Sequence, residues 1–157
     1  MPEGPFVGHV HLKVSDLDRS LAFYRDAFGL ELQQKMGNSA AFLSWDGYHH
    51  HLGLNVWQSR GGPQPAHNAT GLFHFAILYP TRRALAEEFA RLLRLGIPID
   101  GAADHGVSEA IYLHDPDGNG IEIYWDRPKD QWPLVDRKLS MVTEALDLDA
   151  LLAELKQ

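Results

Sequence analysis

The chain contains no cysteine, which excludes disulfides and thiolate metal ligands and leaves the redox compartment open. No apolar run approaches the roughly 18 residues that a membrane-crossing helix requires. Cations are few: 14 lysines and arginines face 21 aspartates and glutamates, giving a formal net charge of −7, and the basic residues are scattered rather than clustered. That pattern argues against electrostatic capture of nucleic acid or anionic lipid and leaves a small molecule as the expected partner. The opening residues, MPEGPFVGHV, lack the basic and apolar regions of a secretory signal. The expectation is a soluble, cytoplasmic protein with no nucleic-acid or membrane partner.

With 157 residues, the chain can bury a core without disulfide or zinc staples. Residues 7–14, VGHVHLKV, alternate as a strand does, with His9, His11 and Lys13 on one face and Val10, Leu12 and Val14 on the other. Ser15 or Asp16 then offers a helix cap, and Leu17, Leu21, Tyr24 and Phe28 recur at helical spacing up to Gly29. Three short strand-like runs follow, LELQQKM, AAFLSW and YHHHLGLNVW, the last two separated by the hairpin turn signal Asp46-Gly47. After a Gly/Pro-rich linker over 58–70, the order repeats. GLFHFAILY reads as a strand, and a helix from Thr81 carries Leu85, Phe89, Leu92 and Leu93 on one face before Gly96. Short strands follow around IPIDG, SEAIYLH and GIEIYWD, the last two joined by the turn DPDGN.

These patterns predict an α+β fold of two tandem βαβββ modules, over about 7–56 and 72–126. One domain is expected over 1–128, followed by a tail over 129–157 in which Leu148, Leu151, Leu152 and Leu155 mark a short C-terminal helix capped by Asp147 or Asp149.

Three residues stand where a strand facing an apolar core would carry valine or leucine: His9, His74 and Glu122. His74 interrupts LFHFAIL and Glu122 interrupts IEIYW, so each requires a partner, a metal or a wet face. Two histidines and a carboxylate converging from separate strands make the facial triad that suits non-haem iron(II), with the opposite coordination face open. The same set accepts manganese, nickel, cobalt or zinc. The run His49-His50-His51 is conspicuous but a poor chelating cluster, because on the strand expected there His49 and His51 share a face while His50 points away from both.

The segments GHVHLKVSDLDRSLAFYRDAFGLEL, TGLFHFAILYPTR and DHGVSEAIYLHDPDGNGIEIYWDRP, with the paired β-α-β-β-β order, resemble the vicinal oxygen chelate superfamily. Within it, the resemblance is closest to catechol 2,3-dioxygenase-like extradiol ring-cleaving enzymes, and it covers roughly 7–128. It implies that the two modules form a curved, partly closed mixed sheet around a metal site, the metal held by His9, His74 and Glu122, with His9 preferred to His11 from its distance to the Ser15-Asp16-Leu17 motif. It also implies catalytic roles for Tyr112, ten residues before the glutamate, for His105, and for an acid–base histidine that alignment sets at His50. A slip of one residue moves that last role to His49 or His51, and the register is left open. The implied reaction opens the ring of a small aromatic diol with O2, using Fe(II), or Mn(II) or another divalent metal. The well-known enzymes of this type carry two such paired modules in one chain, so a homodimer is expected here. A glyoxalase-like isomerase or lyase, which typically uses four protein ligands, and a non-catalytic binding protein for a small molecule such as an antibiotic are the alternatives.

Overall fold

Two polar side chains start the long helices. Asp16 accepts a hydrogen bond from the Arg19 N–H at 3.0 Å, and Thr81 accepts one from the Ala84 N–H at 3.0 Å. Each satisfies a donor that the first helical turn leaves free. A computed structural model, which describes residues 3–157, places helix α1 over Leu17–Phe28 and helix α2 over Arg82–Arg94. Gly29 closes α1 in the left-handed conformation, φ 66°, which costs a glycine nothing.

Around each helix the strands follow one plan. β1 (Val10–Lys13), β2 (Glu31–Met36), β3 (Ala40–Ser44) and β4 (Leu52–Asn55) form a sheet in the order β1-β4-β3-β2. β5 (Phe75–Leu78), β6 (Gly101–Asp104), β7 (Ser108–His114) and β8 (Gly120–Asp126) form another, in the order β5-β8-β7-β6. In each, the first and last strands pair parallel and the others antiparallel. The architecture is therefore α+β with two mixed sheets and no closed barrel among the described residues, and the expected repeat of element order holds.

The chain forms two compact units. The first gathers the described residues through Gly71 together with Asp115–Gly118; the second holds Leu72–His114 and Asn119–Gln157. In the first, α1 buries Leu17, Tyr24 and Phe28 with Leu12, Leu43 and Leu54 of the sheet. The DPDGN turn is pinned to the same helix: Tyr24 donates its hydroxyl to Asp115 at 2.8 Å, and Ser15 Oγ and Arg19 both bond Asp117 Oδ1, at 2.6 and 2.7 Å. In the second, α2 buries Leu85, Phe89 and Leu92 with Ile111, Ile121 and Ile123.

Several boundaries differ from expectation. His9 and His74 each stand one residue before their strand. The histidine run is bent chain, not strand. Gly47, at φ 79°, and the Asp46 carboxylate, accepting from the Tyr48 N–H, turn the backbone there, and regular pairing resumes only at Leu52. The tail is more structured than its polarity suggested. It holds a hairpin of β9 (Leu134–Val135) and β10 (Lys138–Leu139), a bridge from Glu144 to Asp104, and helix α3 (Leu148–Ala153), capped by Asp147, whose Leu151 is fully buried. No helix among the described residues is long and apolar enough to cross a membrane.

One buried charge opposes this packing. Glu88 on α2 is 7% exposed, and its Oε1 has no hydrogen-bond partner. Burial pushes its carboxyl from an ordinary 4.5 up to about 7, against the pull of Arg91. Because the folded value lies above the unfolded one, stability falls as pH rises through that window and stays low above it. A displacement of this size corresponds to about 3 kcal/mol at most. Glu88→Gln should therefore match the parent protein at pH 4 and exceed it by about 1–3 kcal/mol at pH 8, as read by urea denaturation at the two pH values.

Candidate metal centre

In the second unit the register decides which side chains meet. Ala76 pairs with Glu122 on one side of β8, and Tyr112 pairs with Glu122 on the other. His74 lies two residues before Ala76 and shares its face. The result is a contact between His74 Nε2 and Glu122 Oε2 at 2.8 Å, with the carboxylate 13% and the imidazole 30% exposed. The Tyr112 hydroxyl lies 3.4 Å from Glu122 Oε1, and the rings of His74 and Tyr112 are 5.7 Å apart. His105 Nε2 completes the group at 2.6 Å from the same hydroxyl. Burial first, and the Glu122 charge second, push the Tyr112 phenol up to about 12, so it stays protonated at neutral pH.

Gly120 makes this arrangement possible. A Cβ there would collide with the Phe73 carbonyl oxygen and stand 3.0 Å from His74 Cβ. Only a residue without a side chain lets the entry to β5 cross β8 this closely.

His74 and Glu122 are chemically fit to share a cation. Two ligand atoms at about 2.1 Å from a divalent ion and 90° apart lie about 3.0 Å from each other, near the 2.8 Å separation observed. The other ring nitrogen, His74 Nδ1, is buried without a hydrogen-bond partner, so the carboxylate is what engages this ring.

The first unit holds His9, His11 and the run His49-His50-His51. The rings of His9 and His50 lie 4.3 Å apart, tilted by 54°, and His50 also lies edge-on to Phe42 at 5.0 Å. His49 and His50 share a hydrogen bond between Nδ1 atoms at 2.8 Å. Burial, then the neighbouring His9, His49, His11 and His51, hold the His50 imidazole below its ordinary range, which favours its neutral form.

His11 has a different part. Its Nε2 lies 3.0 Å from Asn55 Nδ2, while Asn55 Oδ1 accepts from the Trp57 N–H. The amide therefore presents its NH2 group to the imidazole, and His11 Nε2 is an acceptor already in use. Burial, and then His9, lower the His11 pKa.

The two sheets can be compared position by position. His11 pairs with Gly53 where Ala76 pairs with Glu122, and Gly53 pairs with Phe42 where Glu122 pairs with Tyr112. Gly53 thus stands at the counterpart of Glu122. A Cβ on it would lie 2.8 Å from His11 Nδ1 and 2.9 Å from Cγ, so the His11 ring fills the space a ligand side chain would need.

Of the residues singled out from sequence, His74, Glu122, Tyr112 and His105 come together in the second unit, and His9 and His50 in the first. Among the described residues no three His, Cys, Asp or Glu side chains are gathered closely enough to hold a metal ion. Sequence reasoning missed Asn55, Gly53 and Gly120. A polar residue closing the apolar run LGL was the available signal for the first; the two glycines acquire meaning only from the strand pairing.

Comparison with known proteins agrees with this geometry. The chain is 44% identical to a catechol-2,3-dioxygenase of Bacillus subtilis (strain 168), over 97% of its own length and 53% of that protein's. It is 30% identical to biphenyl-2,3-diol 1,2-dioxygenase 3 of Rhodococcus globerulus, over 78% of its length and 64% of that enzyme's. The chain therefore spans between about half and two-thirds of these relatives. Among solved structures, a lactoylglutathione lyase from Agrobacterium tumefaciens superposes with a TM-score of 0.60 at 29% identity, covering 79% of this chain and 94% of that one. The profile of one family matches residues 6–123, and with that match the chain belongs to the Glyoxalase/Bleomycin resistance protein/Dioxygenase superfamily.

Proposed function

We propose that the protein is a metal-dependent extradiol dioxygenase that opens the ring of a catechol-type diol with O2. The observation that carries the reading is the contrast between Glu122 and its counterpart Gly53. A second carboxylate there would complete the four-ligand set of a glyoxalase-like lyase; a glycine under a histidine ring leaves three protein ligands and an open coordination face. The similarity to two ring-cleaving relatives points the same way, and since the chain covers only part of their length, the activity is a proposal for this chain.

In this reading His9, His74 and Glu122 hold the metal, Fe(II) or alternatively Mn(II). When bound, it supplies a Lewis acid and a template on which a diol and O2 meet. The protein's own groups do the rest. The Glu122 carboxylate offsets part of the cation's charge. Tyr112 hydrogen-bonds the diol, with His105 behind it. His50, whose surroundings favour the neutral ring, takes up and returns a proton beside the reacting oxygen.

Residues 1–128 form the catalytic domain in this proposal, and the active species is a homodimer. Exposed apolar residues precede each metal histidine: Phe6 and Val7 are 56% and 86% exposed before His9, and Leu72 and Phe73 are 64% and 90% exposed before His74. Apolar surface so placed favours a partner copy close to the site.

Protein purified without air should contain iron or manganese and consume oxygen when offered a panel of catechols. Absence of both would overturn the reading. His74→Ala should lose metal by at least the roughly 100-fold that even supporting residues can cost; undiminished metal content would remove it from the ligand set. Gly120→Ala tests the close crossing at β8: metal content should fall along with the melting temperature, and an unchanged metal content would show that His74 does not depend on that crossing. Tyr112→Phe should keep its metal while kcat/KM for the diol drops about 10-fold, the worth of one hydrogen bond to substrate.

A further inference from the structure

The segment after the hairpin of the tail returns to the turn that carries His105. Asp104 and Glu144 exchange both backbone hydrogen bonds, each 2.9 Å, and the Val142 N–H donates to the His105 carbonyl at 3.1 Å. Gly106, at φ 74°, lies beneath this segment: a Cβ there would meet Pro133 Cγ at 2.8 Å and Val142 Cγ2 at 3.3 Å. The Asp104 side chain braces the same turn by accepting from the Gly106 N–H at 2.8 Å and pairing with Arg127.

The contact that matters for chemistry is between His105 Nδ1 and the Val142 carbonyl oxygen, 3.0 Å apart. A carbonyl only accepts, so a hydrogen bond there puts the proton on Nδ1; the Thr143 hydroxyl, which can accept or donate, is the more distant neighbour of Nδ1 at 3.4 Å. In the neutral ring Nε2 is then bare, and it lies 2.6 Å from the Tyr112 hydroxyl. The phenol has one proton and two acceptors within reach, His105 Nε2 at 2.6 Å and Glu122 Oε1 at 3.4 Å. The shorter distance is a full hydrogen bond and the longer one is marginal. The opposite arrangement, with Nε2–H donating to the phenol and the phenol to Glu122, would set a bare Nδ1 against the Val142 carbonyl lone pairs.

We infer that the C-terminal tail is part of the site: the Val142 carbonyl sets the tautomer of His105, which draws the Tyr112 proton away from Glu122 and leaves the phenol oxygen as an acceptor for a substrate hydroxyl. Val142 acts through His105, and His105 through Tyr112, so both are positioning residues. The last link, to a substrate hydroxyl, rests on the ring-cleavage reading; the first two do not.

The test is histidine-selective 15N NMR on the full, metal-free chain, with His105→Gln used to assign its signals. Wild-type His105 should show a protonated Nδ1 and a bare Nε2; a protonated Nε2 with a bare Nδ1 overturns the inference outright, with no other variant needed. Glu144→Pro removes the N–H that bonds the Asp104 carbonyl, and Gly106→Ala wedges Pro133 and Val142 away. In whichever of these variants folds, His105 should shift towards the other tautomer. Metal content should be retained, while KM for the diol rises about 10-fold, the worth of one hydrogen bond to substrate, with a smaller change in kcat. An unaltered tautomer in a folded variant whose tail is released overturns the role of the tail. Oxygen uptake that never appears, alongside the expected tautomers, counts against ring cleavage and supports the tail's hold on Tyr112.

Discussion

The candidate site depends on the register of one strand. β8 lies between β5 and β7, and Glu122 sits opposite Ala76 on one side and Tyr112 on the other. Strands about 4.8 Å apart bring side chains on the same face into contact range, so this pairing sets the neighbours of a half-buried carboxylate. An unpaired carboxylate in that position would cost several kcal/mol. His74 answers it from one flank and the Tyr112 phenol borders it on the other. The cost of burying the charge and the means of using it come from the same contacts.

The first unit repeats the plan with the sizes exchanged. Ala76 is small and Glu122 large in one sheet; His11 is large and Gly53 absent of side chain in the other. Each pair fills a similar space, so both sheets pack, yet only one presents a carboxylate. Asn55 then locks the His11 ring through an amide whose own orientation is set by the Trp57 N–H. A shared backbone plan thus carries a carboxylate in one half and an imidazole over a glycine in the other, and such exchanges let one fold serve different reactions.

Backbone atoms contribute as much as side chains. The Phe73 carbonyl makes Gly120 obligatory, and the Val142 carbonyl faces the imidazole that meets Tyr112. Neither residue type hints at such a role. Pro133 and Val142 resting on Gly106 tie the tail to the β6–β7 turn, so the last part of the chain packs with the second unit rather than trailing from it.

Much of the fold was legible along the chain. Asp16, Thr81 and Asp147 cap the helices they precede, the apolar spacing marked α1, α2 and α3, and the doubled β-α-β-β-β order came through because it rests on local periodicity and turn chemistry. His74 and Glu122 were conspicuous because polar groups inside apolar runs need partners, and their being partners of each other followed from the pairing of β5 with β8. The histidine run misled, since three like residues after a hairpin turn look like a continuing strand while the Gly47 turn bends them out of the ladder. Local signals in the amino-acid order sufficed for element type, for the repeat and for the odd residues out. Which oddities meet, that Gly53 rather than a carboxylate faces His11, and which nitrogen of His105 carries the proton depend on register and on carbonyls arriving from distant segments. No local pattern encodes those, because every residue supplies the same backbone groups.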